Sequence, residues 1–193
     1  ILAAITTAQI SKLTVAQVQA LSTSQVTALS GDQVGKLTTA QVAALSATQV
    51  KGLETADLVV LDSAQLQALN VSAVAALSTA QVAAITTAQV SKLTANQIKA
   101  LTATQVAALT TAQVGELTTE QMNALSATQI KSMTTADMAK LSGAQLQALT
   151  AAAVAALDTA QIKALTTAQA DQLTAAQVAS LTAAQVEIGR AHV

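Results

Sequence analysis

The sequence predicts an all-α protein, an α-solenoid of very short capped helices with one helix in every eight residues. Three observations predict this fold. The unit Leu-Thr/Ser-x-x-Gln-Val/Ile-x-x repeats 23 times without insertion from Ile5, and its last copy begins at Leu181. Each unit carries the signals of a helix start. The 193 residues include no Phe, Tyr, Trp, Cys or Pro, so the core must consist of many thin layers of Leu, Val, Ile and Ala.

The residue types at two positions of the unit indicate helix starts. We label the eight positions of the unit a to h, with Leu at a. Position b is Ser, Thr, Asp or Asn in every unit except the one with Glu54, and these are the preferred N-cap residues. Position e is Gln in 19 of 23 units, the exceptions being Asp57, Ala73, Asp137 and Ala153. This spacing is that of a capping box, with the apolar residues at a and f placed as a hydrophobic staple.

A helix of about six residues cannot be stable alone. Fixing eight backbones costs about 8–16 kcal/mol, whereas burying one Leu and one Val returns about 3–6 kcal/mol. A single continuous helix is excluded because the Leu stripe would drift around it. A β-solenoid is excluded because a and f, five residues apart, would point to opposite faces of a strand. The units are therefore predicted to stack.

Two positions alternate from unit to unit. Position g has Lys or Gln only in alternate units, as Gln19, Lys51, Gln67, Lys99, Lys131, Gln147 and Lys163. Thr at position c, as in Thr39 and Thr87, occurs mostly in the other class. This alternation predicts two helices, and so two eight-residue units, per coil. With stacked helices about 8–10 Å apart, eleven or twelve such coils would form a rod of roughly 100 Å.

Two helices per coil would also align the position-g side chains along one edge of the rod. The candidate edge consists of Lys51, Lys99, Lys131 and Lys163 with Gln19, Gln67 and Gln147. It could bind an acidic polymer such as a polysaccharide, although we interpret it as a solubilising surface.

The chain is predicted to be one repeat array over residues 1–186. The sequence from Ile5 to Lys12 recurs almost unchanged from Ile85 to Lys92, which divides the array into superrepeats 5–84 and 85–164 and a partial third copy from 165. Residues 187–193 depart from the unit and are interpreted as a non-native tail. We expect the whole chain to be a fragment of a longer protein.

No pattern of an enzyme is found. Glu54, Asp57 and Asp62 are the densest acidic group, and we interpret them as helix N-terminal charges rather than a Ca²⁺ site. No cofactor and no metal are predicted. The net charge of −1 argues against nucleic acid as a partner, and the longest apolar run, residues 151–157, is too short to span a membrane.

The units from Ile5 to about Val186 resemble the octapeptide repeat arrays of large bacterial secreted or surface proteins, of the adhesin-like or RTX-associated kind. The resemblance implies an extracellular or cell-surface location and a role as a structural spacer. Such a spacer is a stalk-like rod without catalysis, and the activity of the whole protein lies in other domains. The alternative is a binding module that uses the long face for a protein, a glycan or ice, the last suggested by the Thr residues at position c. Neither end of the array has an obvious polar cap, so end-to-end self-association is also expected.

Overall fold

The computed structural model of the chain describes residues 5–190, with side chains described as far as residue 187. Over these residues all regular secondary structure is helical, and every eight-residue unit forms one helix, 23 in all. The helices have four to six residues, except the last, which has eight. The predicted class, an all-α solenoid of very short capped helices, is confirmed.

The chain divides into two compact units, one ending at Leu101 and one beginning at Thr102, which we call unit 1 and unit 2. Unit 1 contains α1 (Thr7–Ile10), α2 (Val15–Gln19), α3 (Thr23–Thr27), α4 (Gly31–Val34), α5 (Thr39–Ala43), α6 (Ala47–Lys51), α7 (Thr55–Val59), α8 (Ser63–Ala68), α9 (Val71–Ala76), α10 (Thr79–Ala84), α11 (Thr87–Val90) and α12 (Ala95–Ala100). Unit 2 contains α13 (Ala103–Ala107), α14 (Thr111–Gly115), α15 (Thr119–Ala124), α16 (Ala127–Lys131), α17 (Thr135–Lys140), α18 (Gly143–Ala148), α19 (Ala151–Ala155), α20 (Thr159–Ala164), α21 (Thr167–Ala170), α22 (Ala175–Ser180) and α23 (Ala183–Arg190).

Every helix from α1 to α22 except α9 and α19, which have Ala at position e, starts through the predicted capping box, as at α10. Ser78 at the N-cap is extended (φ −70°, ψ 160°) and its Oγ accepts from the backbone N–H of Gln81 at 3.1 Å. The Gln81 Oε1 in turn accepts from the backbone N–H of Ser78 at 2.8 Å. The residue that follows α10, Ile85, is extended as well (φ −56°, ψ 130°). Where a helix runs to the end of its eight-residue unit, two successive extended residues at a and b therefore make the corner to the next helix, as after α12 and α18.

Helices pack against helices that are three places before or after them in chain order. In unit 1 this relation joins α2 to α5 and α5 to α8, and also α3, α6, α9 and α12 in turn. In unit 2 it joins α13, α16, α19 and α22, and likewise α14, α17, α20 and α23. One coil of the solenoid thus contains three helices. The prediction of two helices per coil is wrong, because three eight-residue units separate each helix from its neighbour in the next coil.

The alternation at c and g does not set the coil because both positions lie at the surface. No side chain at either position is buried in the described residues, so residues of several types fit there. The buried positions a, e and f have the same residue types in nearly every unit, and the N-cap at b is extended in every helix from α1 to α22. The angle of that repeated corner therefore fixes the number of helices per coil.

The core consists of positions a and f. The side chains at f from Ile10 to Val154 are no more than 1% exposed, and those at a from Leu29 to Leu157 no more than 6%. The predicted tail of residues 187–193 begins inside α23, which extends to Arg190. Its last residues, including His192, lie outside the described residues.

Candidate functional site

The buried polar side chains of the described residues all stand at position e, and Gln41 shows what they do. Its Oε1 accepts from the backbone N–H of Thr38 at 2.7 Å, which is the capping bond. Its Nε2 donates to the carbonyl of Leu13 at 2.7 Å and to that of Ile10 at 3.0 Å, at a corner of the preceding coil. One amide therefore caps its own helix and joins two coils.

This double role recurs along both units, and we call the set of these side chains the glutamine ladder. In each member the Nε2 reaches a position-a carbonyl 28 residues earlier and a position-f carbonyl 31 residues earlier, as in Gln41. Besides Gln41, its members in unit 1 are Gln49, Gln81, Gln89 and Gln97. Its members in unit 2 include Gln145, Gln161, Gln169, Gln177 and Gln185.

The sequence predicted the capping bond but not the bond between coils. A signal for it was present, because a capping box accepts Glu as readily as Gln, yet position e contains no Glu in 23 units. A carboxylate can accept from the N-cap but cannot donate. The exclusion of Glu therefore indicates that the side chain at e needs a donor as well as an acceptor.

Where the ladder lacks its glutamine, the neighbouring N-cap decides what replaces it. Ala73 has no amide, but the Nδ2 of Asn70 donates to the carbonyl of Leu45 at 3.0 Å, which is the position-a carbonyl that a glutamine at 73 would reach. The Oδ1 of Asn70 accepts from the backbone N–H of Ala73 at 2.9 Å. Ala153 stands at the equivalent place of the second superrepeat, beside Thr150, whose hydroxyl caps the helix but which has no amide to donate.

The two aspartates at position e lie in different environments. Asp137 accepts from the Oγ1 of Thr111 at 2.9 Å. Asp57, the equivalent residue in the first superrepeat, faces Gly31, whose missing Cβ would lie 3.8 Å from the Asp57 Oδ1. Asp57 is only 3% exposed. Burial raises the pKa of its carboxyl, the hydrogen bond from the backbone N–H of Glu54 lowers it, and the negative charge of Glu54 raises it further.

Within each unit, the Lys and Gln residues of the candidate edge do not all lie in one stack of helices. All seven side chains are exposed, but in unit 1 Lys51 and Lys99 lie in the stack of α6, α9 and α12, whereas Gln19 and Gln67 lie in that of α2, α5 and α8. In unit 2 the carriers are α16, α18 and α20, and each belongs to a different stack. The single edge required two helices per coil, and three helices per coil distribute its members around the solenoid. Binding by the individual residues stays a prediction.

Neither a metal site nor a membrane span is found in the part of the chain that the structure describes. The acidic residues Glu54, Asp57 and Asp62 stand at positions b, e and b of α7 and α8, at helix starts as the sequence indicated. No group of three or more His, Cys, Asp or Glu residues over that part could hold a metal ion. No helix within it has the length and apolar character needed to cross a membrane.

An apolar surface lies on the side of unit 1 formed by the end of α7. Val59 and Val60 are each 45% exposed, and Val60 lies against Gly35, the residue that follows α4, whose missing Cβ would be 3.7 Å from the Val60 Cγ2. We call this the α7 surface. The second superrepeat has Ala139 and Lys140 at the same places, so the surface occurs in one superrepeat only.

Comparison with known proteins supports the repeat assignment. The family described as ALTTAQ repeat matches residues 2–39, 50–87, 58–95, 82–119, 104–135, 130–167 and 138–175. The longer matches span nearly five units each, and several overlap after a shift by whole units, as expected for an array in which any unit can begin the pattern. No curated protein sequence has a significant match to the chain.

Proposed function

Because the chain belongs to the ALTTAQ repeat family, we propose that it is a structural spacer, a stalk-like rod within a larger bacterial secreted or surface protein. The observation that carries this proposal is the glutamine ladder. Every buried polar side chain of the described residues stands at position e, where the side chain caps a helix or joins two coils. The polar chemistry of the interior is thus used for building the array.

The ladder also supports a role in which length matters. Each coil meets the preceding one through the same bonds, so a unit can be added or lost without new contacts being required. The duplication of a block of ten units is a route by which such an array lengthens. Because the contacts between neighbouring coils are repeated, each added coil should lengthen the array by the same amount. The number of eight-residue units would then set the span of the array.

The proposal assigns no catalysis to this chain. The hydroxyls at position b, the most numerous candidate nucleophiles, accept from backbone N–H groups at helix starts, as Thr118 accepts from Gln121 at 3.2 Å. Nucleophilic catalysis also needs a base within hydrogen-bond reach of the hydroxyl. Under this proposal, any catalytic activity of the larger protein lies in other domains.

The proposed location outside the cell or at its surface is supported by the resemblance to octapeptide arrays of bacterial adhesin-like proteins. Protease treatment of intact cells of the source organism tests it. We expect the array to be cleaved while a cytoplasmic marker protein survives, whereas protection of the array until the cells are lysed would contradict the location.

Small-angle X-ray scattering tests the spacer role. A spacer must hold its ends apart, so we expect the maximum dimension of the full chain to exceed that of a compact sphere of the same mass, and to grow in equal steps when blocks of three units are added. A compact particle, or a dimension that does not increase with added units, would contradict the role.

The second candidate is a binding module, and the α7 surface is the observation that favours it. Ice binding stays an alternative: the position-c residues Thr39 and Thr55 belong to different stacks, but Thr111, Thr135 and Thr159 of unit 2 share one stack. A protein partner at the α7 surface would be lost in Val59→Ala with Val60→Lys, which copies the residues of the second superrepeat. A partner retained by this variant would exclude the surface, and glycan binding at Lys51 and Lys99 can be tested by replacing both with Ser.

A further inference from the structure

The position-e residue Asp57 has one carboxylate oxygen without a hydrogen bond. Its side chain is only 3% exposed. The Oδ2 accepts from the backbone N–H of Glu54 at 2.8 Å. The Oδ1 has no donor among residues 5–190 and lies 3.8 Å from the place where a Cβ of Gly31 would stand. Because a buried carboxylate is costly unless it is paired or hydrogen-bonded, this oxygen needs a partner that the described side chains do not supply.

Asp137, the equivalent residue of the second superrepeat, shows which donors Asp57 lacks. The Oδ1 of Asp137 accepts from the Oγ1 of Thr111 at 2.9 Å, and its Oδ2 accepts from the Oγ1 of Thr134 at 2.7 Å. In the first superrepeat the residues at these two places are Gly and Glu. Both hydroxyl donors are therefore missing together, and an acidic residue replaces one of them.

The same place also lacks the amide that a ladder glutamine directs at the preceding coil. In Gln89 the Nε2 lies 2.9, 3.1 and 2.8 Å from three carbonyl oxygens, 31, 30 and 28 residues before it. At Asp57 the corresponding carbonyls are those of Val26, Thr27 and Leu29. An aspartate has no amide, so these carbonyls receive no donor from position e.

The backbone directs these carbonyls as it does where a glutamine is present. Ala28, between α3 and α4, has φ −80° and ψ −3°, and Ala20, at the corner that Gln49 reaches, has φ −78° and ψ −8°. The carbonyl oxygens should therefore converge on the point that a ladder Nε2 would take. Since Asp is one methylene shorter than Gln, its carboxylate ends short of that point and leaves room for an atom there.

A site built only from carbonyl and carboxylate oxygens selects a hard cation. Ca²⁺ takes its oxygen ligands at about 2.3–2.6 Å, whereas the ladder carbonyls of Gln89 lie 2.8–3.1 Å from the amide nitrogen. The longer spacing suits a larger ion, and backbone carbonyl oxygens can replace the hydration shell of K⁺. An ammonium ion would also donate hydrogen bonds to the carbonyls, as the amide does. One buried carboxylate balances one positive charge.

We propose that Asp57, with the carbonyls of Val26, Thr27 and Leu29, binds a large monovalent cation, K⁺ or ammonium, which replaces the missing ladder amide and joins α7 to the preceding coil. The site contains a single buried carboxylate. It therefore differs from a group of three or more His, Cys, Asp or Glu residues, of which none that could hold a metal ion is found over the described residues. This inference stands on the ladder and does not need the spacer role.

The first test variant gives Asp57 the two donors that its counterpart has. Gly31→Thr with Glu54→Thr copies the two threonines of the second superrepeat. The Cβ at position 31 would meet nothing closer than 3.8 Å, and Glu54 is exposed, so circular dichroism should show a folded protein. With both hydroxyls in place, the carboxylate no longer needs the cation.

The second test variant makes the reverse change. Thr111→Gly with Thr134→Glu removes both hydroxyl donors from Asp137 and should create a second cation site there. The matched control is Asp137→Asn, because Asp137 already accepts from both threonines and is not expected to bind a cation in the wild type.

Thermal unfolding of the full chain tests the proposal. The melting temperature is measured in the chlorides of K⁺, ammonium, Na⁺, Ca²⁺ and tetramethylammonium at equal ionic strength, at about pH 8 to favour the carboxylate. We expect a saturable rise of about 2–4 °C when K⁺ or ammonium replaces tetramethylammonium, and the ion that acts at the lower concentration is the preferred one. The rise should disappear in the first variant, become about twice as large in the second and stay unchanged in the control.

The cation site is refuted if the melting temperature of the wild type is the same in K⁺, ammonium and tetramethylammonium. A rise that persists in Gly31→Thr with Glu54→Thr would place the effect elsewhere and also refute it. A larger rise in Na⁺ or Ca²⁺ would overturn the assignment to a large monovalent ion. A folded second variant that gains no further response would show that removing the two donors does not create such a site.

Discussion

At the scale of the residue, the side chain at position e is the one on which the array most depends. It must accept from the N-cap of its own helix and donate to a corner of the preceding coil, and only an amide of the length of Gln does both. Asn70 at position b also combines an acceptor with a donor: its Oδ1 accepts from the backbone N–H of Ala73 and its Nδ2 donates to the corner carbonyl of Leu45. The requirement is therefore for an amide at the corner rather than for one sequence position.

Replacing Gln97 by Glu tests the donor requirement. Gln97 is 2% exposed, and its Nε2 donates to Leu66 and Leu69 at 2.7 and 2.8 Å. Glu retains the capping bond but buries a carboxylate against two carbonyls, so we expect a loss of about 3 kcal/mol or more in the free energy of unfolding. Urea denaturation measures it.

The matched control for that change is Gln17→Glu. Gln17 is exposed and, among the residues that the structure describes, makes only the capping bonds with Thr14, so its replacement should change the free energy of unfolding by no more than about 0.5 kcal/mol. Equal losses at the two positions would show that the capping bond alone explains the choice of Gln.

Ala153→Gln should restore a missing member of the ladder. The new amide would reach the corner at Leu125, where Thr150 supplies none, and we expect a gain of about 1 kcal/mol in the free energy of unfolding by urea denaturation. Ala73→Gln is the control, because Asn70 already donates to Leu45 and little gain is available there. A larger gain at 73 than at 153 would contradict the compensation by Asn70.

Asp57 should make stability depend on pH. Its pKa is raised by burial and by the charge of Glu54, against the lowering hydrogen bond from the Glu54 N–H. The folded state therefore binds this proton more tightly than the unfolded state does. The stabilisation is fully present below the unfolded pKa of about 3.9 and is lost as the pH rises through the folded pKa. In Asp57→Asn this loss should disappear, as urea denaturation across that pH range would show.

Gly31→Thr provides the complementary variant. The hydroxyl would stand where Thr111 donates to Asp137, and a donor to the carboxylate should lower the pKa of Asp57 and reduce the pH dependence. The Cβ meets nothing closer than 3.8 Å, so the side chain has room. A pH dependence that is unchanged in both variants would remove Asp57 as its source.

At the scale of the element, the capping residues define where each helix starts. Close contact with the helix of the next coil limits the size of the side chains between the two helices. The capping box fixes the start, and the two extended residues at a and b begin the next corner. The contact between stacked helices is tight at Gly52. Gly52, which follows α6, would place a Cβ 2.8 Å from the Thr23 Cγ2 and 3.1 Å from the Thr23 carbonyl of α3.

Two glycine substitutions should therefore have opposite signs. Gly52→Ala forces α3 and α6 apart and breaks the fit that lets the Oγ1 of Thr27 donate to the Gly52 carbonyl at 2.8 Å, so thermal unfolding should show a loss of about 1–3 kcal/mol. Gly115→Ala in α14 meets only the flexible Lys140 side chain at 3.4 Å and should gain about 0.5–1 kcal/mol through helix propensity. A gain at 52 would mean that the stacked helices are not held at this spacing.

At the scale of the whole molecule, stability is expected to be a sum of terms for neighbouring coils, because each unit contacts only its own coil and the adjacent ones. The unit of insertion or deletion is then the octad, whatever class it has at positions c and g. A coil of two alternating helices would instead require octads to be removed in pairs.

Deleting residues 149–156 removes one octad and should leave a cooperatively unfolding helical protein, since the following unit takes the vacated place with the same buried residues. Deleting only residues 149–152 removes a corner and its N-cap but leaves the rest of the unit, so a clearly lower melting temperature is expected. Circular dichroism on heating distinguishes the two. Equal damage from both deletions would contradict the octad as the structural unit.

The sequence by itself determined where helices begin, how long they are and which positions are buried, because these properties depend on residues no more than eight apart. The N-cap at b, the capping Gln at e and the apolar pair at a and f each act within one unit. The sequence therefore predicted the class of fold and the array of capped helices correctly.

Only the tertiary structure decided that a coil has three helices and that the position-e amide bonds to carbonyls 28 and 31 residues away. We infer that the angle of the repeated corner between helices closes the coil, whereas the residues that alternate along the chain stand at positions where no side chain is buried in the described residues. For the same reason the candidate edge residues of one unit lie in different stacks, as Lys51 and Gln67 do in unit 1, since position in the coil, and not class in the sequence, decides which side chains are neighbours.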